Sequence, residues 1–126
     1  MGFKEYWESD LYGKVPRFPV IKYDRSVPEE FILYFKTQTF YNEFLFDDFT
    51  WEDIILIDSN GDIFDLMYHE NNFRYPLYSG FKIERKELIE ILVKCDLENL
   101  EVYKNIESVR DIIKELFIRK EEHGNY

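Results

Sequence analysis

Four side chains around one glycine are the first candidates for chemistry in this sequence. In IILIDSNGDIFDL, residues 54 to 66, Asp58, Asn60, Asp62 and Asp65 surround Gly61 between two apolar runs. Oxygen donors at this density suit a calcium loop, and paired carboxylates suit general acid and base work. Counted from Asp58, Asn60 and Asp62 fall at loop positions 3 and 5, as a helix–loop–helix calcium site requires. The glycine required at position 6 is Ile63, however, and the bidentate glutamate at position 12 is His69. No calcium site is expected.

The remaining site chemistry is as sparse. The only histidines are His69 and His123, and His69 with Glu52 makes at most two metal ligands. A cross-strand ion pair accounts for those two. Cys95, the single cysteine, lies on an apolar helical stripe and reads as a buried, inert thiol. The chain has no G-x-S-x-G elbow, no G-x-G-x-x-G and no phosphate-binding loop. The sequence therefore predicts no catalytic residue, no metal and no cofactor.

These residues need elements to hold them. WEDIILIDSNGDIFDLMYHE reads as a hairpin turning on Asn60-Gly61, with β-rich runs on both sides. A two-residue loop pairs Ile57 with Phe64 and Ile55 with Leu66. It then puts Ile55, Ile57, Phe64, Leu66 and Tyr68 on a core face, and Ile54, Leu56, Asp58, Ile63, Asp65 and His69 on a mixed, partly exposed one. Asp65 then faces Leu56, His69 faces Glu52, and Asp58 and Asp62 part to opposite faces. RFPVIKYD (17–24) reads as extended, because Pro16 and Pro19 oppose a helix. Ser26 and Glu29 fit a capping box with Pro28 in the first turn, which predicts a helix over 27–38. The competing strand reading puts Phe31, Leu33 and Phe35 on one face. Pro76 and Gly80 mark a loop or short strand. ERKELIEILVKCD (84–96) carries Leu88, Ile91, Leu92 and Cys95 on one helical stripe. NIESVRDIIKELFIRKEEH (105–123) carries Ile106, Val109, Ile113, Leu116 and Phe117 on another. The expected architecture is α+β: an antiparallel sheet with a central Asn-Gly hairpin, packed against helices of which two are C-terminal. At 126 residues, without repeats or a Gly/Ser/Pro-rich linker, one domain is expected over 1–126.

Charge gives the strongest functional pointer. The net charge is −10, and residues 37–73 carry nine Asp and Glu with no Lys or Arg, while the flanks are close to neutral. Such a segment repels phosphates and anionic lipid, so neither nucleic acid nor membrane is expected as a partner. It attracts a basic protein surface. A solvated acidic face, present for solubility alone, fits the same charge. NEFLFDDFTWEDI (42–54) interleaves acids with Phe and Trp, the composition of a binding hot spot. Asp47, Asp48, Trp51, Glu52 and Asp53 are the first candidates for partner contact. Asp65, His69 and Glu70 are the second. The competing role for the aromatics is core packing. MGFKEYWESD lacks the apolar core of a signal peptide, Tyr6 breaks the myristoylation pattern, and no run is long and apolar enough to span a bilayer. A cytoplasmic location is expected.

A small acidic chain with WEDIILIDSNGDIFDLMY as a central hairpin and two C-terminal helices resembles the bacterial immunity proteins of polymorphic and contact-dependent toxin systems. The resemblance lies in size, charge and build and has no diagnostic motif. It implies a stoichiometric antidote that covers a basic toxin, for example a nuclease, with an acidic surface. A small regulatory or scaffold domain, homodimeric in one version, is the first alternative, and an unrecognised enzyme or ligand-binding domain the second.

Overall fold

The computed structural model describes residues 15–34, 53–68 and 74–123. Within them the chain forms an α+β fold: five strands in one antiparallel sheet, followed by three helices. The strands are β1 (Val20–Asp24), β2 (Phe31–Tyr34), β3 (Ile54–Ile57), β4 (Asp62–Tyr68) and β5 (Arg74–Lys82). The helices are α1 (Arg85–Lys94), α2 (Leu100–Lys104) and α3 (Val109–His123). The sheet order is β2-β1-β3-β4-β5, with every neighbouring pair antiparallel. None of the described helices is long and apolar enough to cross a membrane.

All four residues of β3 are buried, because the central strand is covered on both faces. Ile55 and Ile57 join Ile21, Tyr23 and Leu33 beneath Leu88, Leu92, Ile112, Ile113, Leu116 and Phe117 of the helices. Val20, Tyr34, Ile54, Leu56, Phe64 and Leu66 form a second cluster on the other face. Successive strand residues point to opposite faces, so a central strand of Ile-Ile-Leu-Ile supplies both clusters at once.

That division corrects the expected hairpin. Ile57 pairs with Ile63, Leu56 with Phe64, and Ile55 with Asp65. The two-residue Asn60-Gly61 loop is not formed. Ser59, Asn60 and Gly61 together bridge Asp58 and Asp62, which lie across from one another, with the Asp58 N–H donating to the Asp62 carbonyl at 3.0 Å. One added loop residue slips the register by one and exchanges faces. Phe64 and Leu66 therefore lie with Ile54 and Leu56, not with Ile55 and Ile57. The mixed, partly exposed face does not exist at Ile54 and Leu56, and Asp65 faces Ile55 where Leu56 was expected.

Gly61 makes this loop feasible. Its φ is +85°, and a Cβ there would sit 2.8 Å from Val109 Cγ1 at the start of α3. The Gly61 N–H donates to the Asp58 carbonyl at 2.9 Å, and its own carbonyl accepts the Ile83 N–H at 2.8 Å. Gly61→Ala combines a left-handed backbone with a clash against the helix. It is expected to cost about 2 kcal/mol, seen as a fall of roughly 5–10 °C in thermal midpoint. A fall of under about 1 °C would show that the turn relaxes freely.

The expected helix over 27–38 is replaced by turns and a strand wherever those residues are described. Asp24 captures the would-be cap: its Oδ1 accepts both the Ser26 N–H at 2.9 Å and the Ser26 hydroxyl at 2.6 Å. Val27 N–H then closes on Asp24 O, and Glu30 N–H on Val27 O. Two successive turns lead into β2, whose Phe31 and Leu33 face the helices as the strand reading proposed. Residues 35–38 lie outside the described residues. The loop or short strand expected around Pro76 and Gly80 is the nine-residue strand β5. It lies at the sheet edge, where a proline costs no inner ladder bond. Gly80 (φ +88°) occupies a shift in register against β4.

The two expected C-terminal helices are present. Leu88 and Leu92 bury one face of α1, with Ile91 and Cys95 partly buried beside them. In α3 the buried set is Ile112, Ile113, Leu116 and Phe117, at helical spacing. Val109 begins that helix, while Ile106 packs from the segment before it. Ser108 Oγ accepts the Asp111 N–H at 3.4 Å at its entry. The Arg85 guanidinium donates to the carbonyls of Lys104 and Ile106, satisfying the C-terminal end of α2 and fixing it to α1.

Candidate protein-binding surface

Two of the nine acids in the cation-free segment are not available to a partner. Asp58 is 1 % exposed and Asp62 3 %. Asp58 Oδ1 accepts the N–H groups of Asn60 at 2.9 Å and Asp62 at 3.0 Å, and Oδ2 accepts the Arg17 N–H at 3.1 Å. One carboxylate thus closes the β3–β4 loop and ties it to the irregular segment that precedes β1. Burial pushes the Asp58 carboxyl above its ordinary value; the three backbone donors oppose that rise and nearby Asp62 adds to it. Asp62 meets Lys82 of β5 at 3.9 Å. These acids are turn chemistry. Among the described residues, no three His, Cys, Asp or Glu side chains come together as a metal site would require.

Of the eight residues singled out for partner contact, Asp53 and Asp65 are described and both are exposed. Asp47, Asp48, Trp51, Glu52, His69 and Glu70 lie outside the described residues. Asp53 precedes β3, and its carbonyl accepts the Arg25 N–H at 2.9 Å. Asp65 stands opposite Ile55 on β4. The sheet places both near the end of β3 remote from the hairpin loop.

Beside them runs a groove of about 370 Å³ between the sheet and α1. Ile55, Ile63, Ile83 and Ile91 give it apolar walls, and Glu87 and Glu90 of α1 stand over it with Arg25 and Lys94. Asp65 neighbours two of those walls, since it pairs with Ile55 and follows Ile63 by two residues on the same strand face. The β1–β2 turn supplies more acid. The Pro28 carbonyl accepts the Tyr23 hydroxyl at 3.2 Å and the Cys95 thiol at 3.6 Å, which pins the turn to the end of α1. Glu29 and Glu30 ride on this turn. The Cys95 thiol is pushed up by burial first, and then by the charges of Glu29 and Glu30. The Tyr23 hydroxyl is likewise raised by burial first, with Cys95 and Glu29 next.

Glu87 and Glu90 line this groove together with Arg25 and Lys94, and further acids lie on segments that adjoin its walls: Glu29 and Glu30 after Pro28, Asp53 beside Arg25, and Asp65 beside Ile55. A count along the chain misses four of them. Glu29, Glu30, Glu87 and Glu90 belong to stretches where Lys and Arg balance the total, and only folding brings them to this groove. The one linear signal is their pairing, Glu29-Glu30 on a turn and Glu87 three residues before Glu90 on a helix face. No family model, curated protein or solved structure matches the chain.

Proposed function

We propose that this chain is a non-enzymatic protein-binding domain that captures a basic partner, in the manner of an immunity protein neutralising a basic toxin such as a nuclease. The observation that supports this reading is the convergence of acids from three chain segments on one apolar-walled groove. Apolar walls supply the contact area of an interface, and surrounding carboxylates raise the encounter rate with a cationic surface and set its register. The acids of 42–53 extend the same charge along the sequence. The buried Asp58 and Asp62 hold the scaffold and take no part in contact.

The test is capture from the native cell, by the wild-type chain and by a chain carrying Asp65→Lys, Glu87→Lys and Glu90→Lys. The reading expects a basic protein held at 1:1 stoichiometry, with its activity blocked, and lost to the variant. A partner held equally by both chains, or one whose activity is unaffected when bound, would refute it.

A second reading, a homodimeric scaffold domain, is favoured by Phe81. This residue is 71 % exposed on the edge strand β5, where the Ser79 hydroxyl, donating to Ile63 O at 2.7 Å, also accepts the Phe81 N–H at 3.2 Å. An aromatic held outward on a sheet edge suits self-association. Sedimentation across a hundredfold concentration range separates the readings. The antidote reading expects a monomer throughout, and the scaffold reading expects a dimer that Phe81→Ser dissolves.

A further inference from the structure

At the hairpin end of the molecule lies a second cleft, of about 630 Å³, which among the described residues shares no lining with the groove beside α1. Its accessible apolar lining comes from Pro19 and from Ile118 of α3, with Ile113 and Phe117 buried behind. Its walls carry Arg110 and Lys114, one turn apart on α3, with Ser59 from the β3–β4 loop and Ser108 from the entry to α3. Neither Arg110 nor Lys114 has an ion-pair or hydrogen-bond partner among the described residues, and the Ser59 hydroxyl makes no hydrogen bond there. Among the described residues Asp111 is the single carboxylate on the walls, so Arg110 and Lys114 outnumber it there, in a chain whose net charge is −10.

We propose that this cleft binds a small organic phosphate: a phosphomonoester on an apolar body. A guanidinium, an ammonium and two hydroxyls offer donors in several directions, which suits the three free oxygens and double charge of a phosphomonoester better than the two oxygens of a carboxylate. Pro19 and the half-exposed Ile118 give an apolar body a surface to cover. The volume lies within the range of small-molecule sites. Close approach of the loop to the helix, fixed by Gly61 against Val109, is what brings Ser59 to the same cleft as Arg110. This site is independent of the protein-binding reading.

The test is titration of the full chain at pH 7 with benzyl phosphate, inorganic phosphate and benzoate, followed by backbone amide resonances. Benzyl phosphate should shift Ser59, Ser108, Arg110 and Lys114 saturably, and bind about tenfold tighter than inorganic phosphate because its ring covers Pro19 and Ile118. Benzoate should bind more weakly than benzyl phosphate. The Arg110→Gln, Lys114→Gln double variant should lose the response. Equal affinity for inorganic and benzyl phosphate means an adventitious ion only and overturns the proposal. So do tighter binding of benzoate, absence of saturable shifts at these residues, or full affinity in the folded double variant. If that variant does not fold, the comparison of the three probes on the wild-type chain decides alone.

Discussion

Asp58→Ala should be the most damaging single carboxylate removal among the described residues, at about 3 kcal/mol of stability. The side chain accepts three backbone N–H groups, from Arg17, Asn60 and Asp62. Alanine leaves all three without that acceptor, in a loop wedged between the segment before β1 and α3. The Asp62 donor is buried and the Arg17 and Asn60 donors are part-buried; a stranded buried donor costs on the order of 1–3 kcal/mol and a part-buried one less, and the relief of no longer burying a charge offsets part of the sum. Removing an exposed acid such as Asp65 should change stability by less than about 0.5 kcal/mol. Chemical denaturation of the two variants beside wild type measures the contrast. Equal effects would show that Asp58 is not the staple of this loop.

The conservative replacement Asp58→Asn isolates the charge. Its Oδ1 keeps the Asn60 and Asp62 donors, while its amide nitrogen must face the Arg17 N–H, so a loss of about 1 kcal/mol is expected. The pH dependence has a definite sign. Burial raises the Asp58 pKa in the folded chain, so the folded state holds the proton more tightly than the unfolded state, which titrates near about 3.9. The stability that Asp58 contributes is full below that unfolded value and declines as pH climbs through the raised folded value. Asparagine does not titrate. The advantage of wild type over Asp58→Asn should therefore shrink as pH rises from acid toward neutral. An advantage that grows over that range would mean the three N–H donors outweigh burial.

How far the fold was legible depended on whether neighbours along the chain decided the outcome. The stripes of α1 and α3 did, since Leu88 with Leu92 and Ile113 with Leu116 and Phe117 repeat at helical spacing and end on one core. The 27–38 segment failed because two local motifs competed for Ser26. Its cap pattern with Glu29 was genuine in sequence, but Asp24, two residues upstream, takes its N–H and hydroxyl. Asn60-Gly61 located the reversal correctly and its length wrongly. The deciding contacts are Asp58 with Arg17 and Gly61 with Val109, at sequence separations of 41 and 48, which no local pattern contains. β4 exchanges faces relative to β3 with that one residue. The acidic field was legible as a linear excess over 37–73, yet two of its members turned inward, and four acids from elsewhere replaced them around the groove. Charge counts along the chain cannot place acids that the β1–β2 turn, α1 and β4 bring together in space.

Reversing the groove acids should have the largest functional effect. Asp53, Asp65, Glu87 and Glu90 are exposed and their side chains make no hydrogen bond or ion pair among the described residues, so Asp53→Lys, Asp65→Lys, Glu87→Lys and Glu90→Lys together should fold normally. The combined variant moves the local field by eight charges. Steered association reaches about 10⁸–10⁹ M⁻¹s⁻¹, against about 10⁵–10⁶ without steering, so a loss of about 100-fold in association rate is expected at low salt. Dissociation should change far less, because rim charges act mainly on encounter.

The measurement that tests the central claim most directly is the association rate of wild type and this variant with the captured partner, across salt from about 0.01 to 1 M, where the screening length falls from about 30 to 3 Å. If acids from three segments steer a basic partner to this groove, wild-type association falls steeply with salt and the two rates converge at the high end. Parallel curves, or a wild-type rate indifferent to salt, would contradict it.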